Sequence, residues 1–350
     1  MEIMISKLPR SGQLLLVMML VLVLAGCGAK SSGNIVEGKV NVVTTFYPIY
    51  EFAQEIGGED VNIINLLPVG VEPHDWTPRS QDIVNTSKAQ LFLYNGAGLE
   101  GWVPNFLKGL DSGSKVQAVE VSTGIDYIMT DEEHEHDHGG NEEGHADEHA
   151  DEHGEEHTDE HAGEHADEHA DEHSDSLHTD PHTWVSPKSA LIMAENIKNS
   201  LLTADPAHKE GYEERYAKLA ERLQTLDNKF RDELAKVPNK EIVVSHQAFS
   251  YMARDYGLTQ HAIMGLSPDS EPRGQDLVEL ANTVKTEGIK YIFFEELVSD
   301  KLAKTLANEA GVETMVLNPV EGLTEEQAKN GENYFTLMEK NLQNLILALQ

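Results

Sequence analysis

Residues 131–178 hold 21 Asp or Glu, no Lys or Arg, and 12 of the chain's 17 histidines. A segment with so much like charge and no apolar stripe has nothing to bury, so it cannot contribute to a core. It divides the 350-residue chain, and any folded body must be assembled from the sequence on either side of it. Most of the net charge of −35 lies in this insert; the remaining residues carry 40 acidic and 26 basic groups. That balance excludes nucleic acid as a partner, because a phosphate backbone demands a basic footprint.

The insert has a pattern of its own. Histidine recurs every fourth residue, at His145, His149, His153, His157, His161, His165, His169 and His173, four of them in the phrase His-Ala-Asp-Glu. On a helix these would share one slowly twisting face, but the charge density predicts a disordered segment in the absence of metal. Neutral imidazole is a common metal ligand, and a strict repeat of it reads as a secondary, transient metal-binding loop.

Outside the insert, short β-branched runs alternate with segments of helical spacing. The first half shows them at 40–46, 61–67, 90–94 and 116–121, the second at 242–245, 260–264, 291–294 and 314–317. This alternation predicts an α/β protein of two lobes with mostly parallel sheets. Between the lobes, Tyr212, Tyr216, Leu219, Leu223, Leu226, Phe230, Leu234 and Val237 form one seam of a long helix, with Asp205 as N-cap, Pro206 at its first position and Pro238 past its end. At 1.5 Å per residue, roughly 31 residues make a rod of about 46 Å that fixes the two lobes. The expected organisation is a leader over 1–26, a tether over 27–38, an N-terminal lobe over 39–202, a linker helix over 203–237 and a C-terminal lobe over 238–350.

The leader has a basic start (Lys7, Arg10) and an apolar run from Leu14 to Leu24, followed by Ala-Gly-Cys27. That run is shorter than the ~20 residues a spanning helix needs and reads as a secretory signal. The ending resembles a bacterial lipobox, in which Cys27 is lipidated and anchors the chain on the outer face of a membrane. As the only cysteine, Cys27 leaves no internal disulfide and no multi-thiolate zinc site.

Five histidines remain outside the insert. His74 stands in Glu72-Pro-His-Asp-Trp-Thr-Pro78, His182 in Asp180-Pro-His-Thr-Trp184, and His246 at the end of a strand in His246-Gln-Ala-Phe-Ser-Tyr251. Open α/β sheets present ligand groups at the carboxyl ends of their strands, so these three and the strand-end Glu295 are expected to converge on one cleft. His208 is expected on the surface, and His261 as a satisfied core histidine within a strand. Trp76, Trp102 and Trp184 are expected as core or cleft lining.

These motifs in combination resemble the zinc-binding solute-binding lipoproteins of bacterial ABC importers, over nearly the whole chain from about Lys39. The resemblance implies two α/β lobes joined by one long rigid helix, with the metal between them. It also implies His74, His182, His246 and Glu295 as ligands, with Asp300 or water as alternatives in the fourth position. Manganese branches of that family carry a carboxylate where His246 stands, so zinc is implied. An extra C-terminal zinc-binding domain found in some relatives is not expected here. The implied partners are a zinc importer's permease and ATPase, and the implied state is a monomer.

The donor set agrees independently: three imidazoles and one carboxylate suit zinc better than manganese, calcium or magnesium. Asp75, Asp180 and Glu72 are candidate partners for the imidazole N–H groups, or else caps and turn residues. A metalloenzyme is the competing reading, because three histidines with an open fourth position can activate water. Outside the insert no HExxH motif is present and no further carboxylate is clearly placed as a base, so no enzymatic activity is expected. An adhesin or a manganese-binding protein of the same fold are further alternatives.

Overall fold

The computed structural model describes residues 34–131, 177–270 and 272–350. The apolar leader, Cys27 and the eight repeat histidines lie outside the described residues. Among those described, no helix is long and apolar enough to cross a membrane.

The N-terminal half alternates β1 (Val40–Thr44), α1 (Tyr47–Gly57), β2 (Val61–Asn65), α2 (Ser80–Lys88), β3 (Leu91–Tyr94), α3 (Val103–Lys108) and β4 (Gln117–Glu120). All the pairings are parallel, in the order β2-β1-β3-β4. Helices cover both faces of the sheet, which is why its central strands are buried apart from one end residue each: Val42, Val43, Leu91, Phe92 and Leu93 are all fully buried.

A two-stranded antiparallel ribbon, β5 (Met129–Asp131) with β6 (Leu177–Thr179), stands at the two ends of the insert. Two helices follow, α4 (Pro187–Ala204) and α5 (Lys209–Leu234). The C-terminal half then runs β7 (Glu241–His246), α6 (Ser250–Tyr256), β8 (Thr259–Met264), α7 (Gly274–Thr286), β9 (Tyr291–Phe294), α8 (Lys301–Ala310), β10 (Glu313–Val316), α9 (Glu325–Lys329) and α10 (Tyr334–Ala348). Its parallel sheet has the order β10-β9-β7-β8. In each sheet the first strand pairs with the second and third, and the third with the fourth, so the two lobes share one topology. All eight strands lie where the β-branched runs predict them.

The linker differs from the expected single rod. Pro206–His208 form a 3-10 turn, and the α-helix proper is the 26-residue α5, about 39 Å long. Asp205 does not cap a backbone N–H with its side chain. Its carboxylate is taken by Tyr212 Oη at 2.7 Å and His208 Nδ1 at 2.6 Å, which ties the turn to the first turn of α5. The apolar seam is as expected, with Tyr212, Leu219, Leu223, Leu226, Phe230 and Leu234 buried.

Helix α5 packs on α1 and α4 of one lobe and on α6 and α10 of the other. The lobes are joined by more than this helix. One hydrophobic cluster runs from Val42 and Phe52 through Leu219 and Phe230 to Val244, Leu317 and Tyr334. Tyr334, opening α10, donates its backbone N–H to Glu51 of α1 and its hydroxyl to Trp184 O at 2.7 Å. A continuous core of this kind resists wide separation of the lobes.

Candidate metal centre

His74 lies on the long loop between β2 and α2. Its backbone N–H donates to the Glu72 carboxylate at 2.9 and 3.0 Å, closing a tight turn behind Pro73 that aims the ring inward. His182 follows the ribbon, in a turn held from the end of β3: Asn95 Nδ2 donates to Pro181 O at 2.8 Å, and Thr183 Oγ1 to Asn95 Oδ1 at 3.1 Å. His246 is the last residue of β7. These three expected positions are brought together.

The fourth is not the expected one. Glu295, at the end of β9, lies behind His246, with its Oε1 2.6 Å from His246 Nδ1 and also accepting from Ser245 Oγ. It therefore sits on the far side of the ring from the centre. Asp300 is also absent from the cluster; it precedes α8 and pairs with Lys304 at 2.6 Å. The group that converges with the three histidines is Glu321, in the buried loop after β10. The strand-end rule that singled out Glu295 applies equally to this loop, Leu317-Asn-Pro-Val-Glu321, and was the signal available in the sequence.

The loop is fixed from several sides. Trp184 Nε1 donates to Pro319 O at 2.7 Å, Asn341 of α10 exchanges hydrogen bonds with Asn318 at 2.9 and 2.6 Å, and Asn318 Oδ1 accepts from Val320 N at 2.7 Å. These bonds hold Val320 at φ 60°, a costly conformation for a β-branched residue. The strain is stored one residue before the converging carboxylate.

The four atoms form a small tetrahedron. His182 Nε2 is 3.1 Å from His74 Nε2 and 3.2 Å from His246 Nε2. Glu321 Oε1 lies 3.5, 3.4 and 3.7 Å from the Nε2 atoms of His74, His182 and His246. Ligands about 2.05 Å from a tetrahedral zinc are separated by about 3.3 Å, so the cluster has the dimensions of a zinc shell.

Tautomers follow from the partners. Asp180 Oδ1 is 2.9 Å from His182 Nδ1, and Glu295 holds His246 Nδ1. Carboxylates only accept, so both Nδ1 atoms carry hydrogen and both Nε2 lone pairs face inward. Lone pairs this close need a proton or a cation between them. Glu321 Oε1 is buried without a hydrogen-bond partner, a further sign that the centre is built for a positive guest.

The electrostatics point the same way. Burial would raise the Glu321 pKa, but the three imidazoles hold it well below the usual carboxylate range. Burial pulls His246 down, yet the charges of Glu295 and Glu321 outweigh it and push its pKa up to about 10. His182 is likewise raised, with Asp180 and Glu321 overcoming burial. Without metal, protons stand in for the cation.

Other expectations resolve plainly. His208 is half exposed. His261 is not a core histidine; it is partly exposed and pairs with Glu241 Oε2 at 2.8 Å across β7 and β8, because β8 is an edge strand. Trp184 is fully buried, while Trp76 packs edge-on against Trp102 and lines the cleft.

A pair of like-folded α/β lobes with three histidines and a carboxylate enclosed between them defines a two-lobed binding protein with a metal centre. The family described as "Zinc-uptake complex component A periplasmic" (ZnuA) matches residues 42–348, and the chain belongs to it. It is 40% identical to "High-affinity zinc uptake system protein ZnuA" of Bacillus subtilis (strain 168), over 93% of each chain. It is also 40% identical to "Zinc-binding lipoprotein AdcA" of Streptococcus pneumoniae (strain ATCC BAA-255 / R6), over 95% of this chain but only 60% of that one. The chain thus spans about three fifths of the pneumococcal relative. The solved Zn(II)-bound ZnuA-like domain of Streptococcus pneumoniae AdcA matches with a TM-score of 0.68 and 38% identity, over 89% of this chain and 99% of the domain.

Proposed function

We propose that this chain captures Zn²⁺ through His74, His182, His246 and Glu321 and delivers it to the permease of an ABC importer driven by its ATPase. The lipid on Cys27 would hold it at the outer face of the cell membrane, and the repeat histidines would bind further zinc weakly. The observation that carries this reading is the tetrahedron of three Nε2 atoms and one buried, otherwise unpartnered carboxylate oxygen. Nitrogen-rich, four-membered and closed, it favours zinc over manganese, calcium and magnesium. A centre with all four positions supplied by protein suits holding and handing over an ion rather than activating water, and the similarity to zinc-binding lipoproteins supports the same role. Metal analysis of protein purified without added zinc, followed by competition with a chelator, tests it. One tight zinc that survives deletion of 131–178 and vanishes in His246→Ala is the expected result; a tight site that disappears with the insert would overturn it.

A further inference from the structure

The converging atoms are closed off from solvent. The His182, His246 and Glu321 side chains are at most 2% exposed, and that of His74 is 10% exposed. Beyond them, between the lobes, lies a cavity of about 1020 Å³ whose walls include Glu72, Asp75 and Trp76 from one lobe and Asp269, Leu297 and Lys301 from the other. No member of the tetrahedron is among its described lining residues. Glu72 spans the gap. Its side chain, 16% exposed, lines the cavity, and its Oε1 lies 3.9 Å from His74 Nε2. Its carboxylate is held in that place by the His74 N–H. It stands outside the four-atom cluster.

We propose that Glu72 and His74 form an outer station on the ion's path, where incoming Zn²⁺ is first held by one carboxylate oxygen and one imidazole before it passes inward to the tetrahedron. This inference rests on the zinc-capture reading. A hydrated ion must exchange each water it loses for a ligand, and a carboxylate between solvent and site lowers that barrier. The same group serves the outward path, because entering and leaving ions cross the same barrier. Glu72 therefore sets rates in both directions and leaves the equilibrium nearly unchanged. General attraction by an acidic cavity behaves differently, since it acts mainly on the association rate.

The test is stopped-flow fluorescence on the full chain. Trp184 lies 5.4 Å from His182, Trp76 lines the cavity, and the insert contains no tryptophan, so the signal reports the cleft. Glu72→Gln keeps an oxygen to accept the His74 N–H while removing the charge. Zinc association and chelator-driven dissociation should each slow by about tenfold, with Kd changed less than about threefold. Glu72→Asp, which keeps the charge on a shorter arm, should fall between wild type and Glu72→Gln and covers the case in which the amide variant folds poorly. Asp269→Asn removes one charge from the same cavity and should slow association alone. Unchanged rates in Glu72→Gln, the same association-only loss in Glu72→Gln and Asp269→Asn, or faster dissociation with weakened Kd would each overturn the station while leaving zinc capture intact. A wild-type protein with no zinc-dependent tryptophan signal would overturn the capture reading and this inference with it.

Discussion

The two lobes have the same strand order but present their metal-facing groups in different ways. The C-terminal lobe offers His246 as the last residue of a central strand and Glu321 from a loop buried over its whole length and pinned by Trp184 and Asn341. The N-terminal lobe offers His74 from a long loop, with the most exposed side chain of the four, and His182 from a turn after the ribbon. One half seats both of its groups in fully buried segments, and the other carries one of its two on a partly exposed loop. Their buried carboxylates differ as well. Glu321 is surrounded by imidazoles and its pKa falls, whereas Glu100 meets only neutral donors (Thr45 Oγ1 and the Asn95 and Gly96 N–H groups) and burial pushes it up to about 7. Burial alone does not decide whether a carboxylate stays charged; the sign of its neighbours does.

The sharpest way to break this contrast is to remove ligands one at a time. A structural zinc is worth roughly 10–16 kcal/mol spread over four ligands, so a fully buried imidazole should matter by about a thousandfold and a partly exposed one by about a hundredfold. His246→Ala and His182→Ala should therefore weaken zinc binding by about 10³, and His74→Ala by about 10², because water can reach its place. Chelator competition reads this directly, and equal losses at all three would erase the distinction between the buried imidazoles and the exposed one.

The next largest effect separates the two carboxylates of the C-terminal lobe. Glu321→Ala should cost about a hundredfold in affinity, whereas Glu295→Gln, which leaves an acceptor on His246 Nδ1, should cost about tenfold. The reverse order would return Glu295 to the metal.

Protons sharpen the comparison further. His246 is held charged up to about pH 10 in the metal-free protein, so zinc must expel its proton at neutral pH. Apparent affinity should thus fall about tenfold per pH unit for each proton released. Calorimetry in buffers of different ionisation enthalpy should detect at least one proton released per zinc at pH 7. The linked stability has a definite sign. The folded pKa lies above the unfolded value of about 6.5, so this contribution to the metal-free protein is complete below pH 6.5 and is lost as pH rises toward 10. Thermal melts should show that decline without zinc but not in His246→Ala.

A metal-independent effect belongs to the N-terminal lobe. Glu100 has a raised folded pKa, so the folded state prefers it protonated, and its charge costs stability progressively as pH rises from about 4.5 to 7, by on the order of 3 kcal/mol. Glu100→Gln should flatten the pH dependence of the melting temperature across that interval. A slope identical to wild type would mean that the carboxylate carries no such cost.

Much of this architecture was legible in the chain. Eight β-branched runs became eight strands because strand formation answers to local pattern and burial on both faces. The seam from Tyr212 to Leu234 was equally plain, although Pro206 opened a 3-10 turn before α5 rather than the helix itself. His74, His182 and His246 were identifiable because each sits in a distinctive motif at a strand end or in a stiff Pro-His turn. The fourth member was decided by tertiary structure. Glu295 and Glu321 both follow strands of one sheet, and nothing local tells which reaches the Nε2 side of His246 and which the Nδ1 side. That depends on strand order: β9 lies beside β7 and delivers Glu295 behind the ring, while the loop after β10, held by Trp184 from the other lobe, carries Glu321 to the front. Periodicity and turn chemistry act over a few residues and are written in the sequence. Which face of an imidazole a carboxylate meets is set by packing between segments far apart in the chain, and only the assembled lobes decide it.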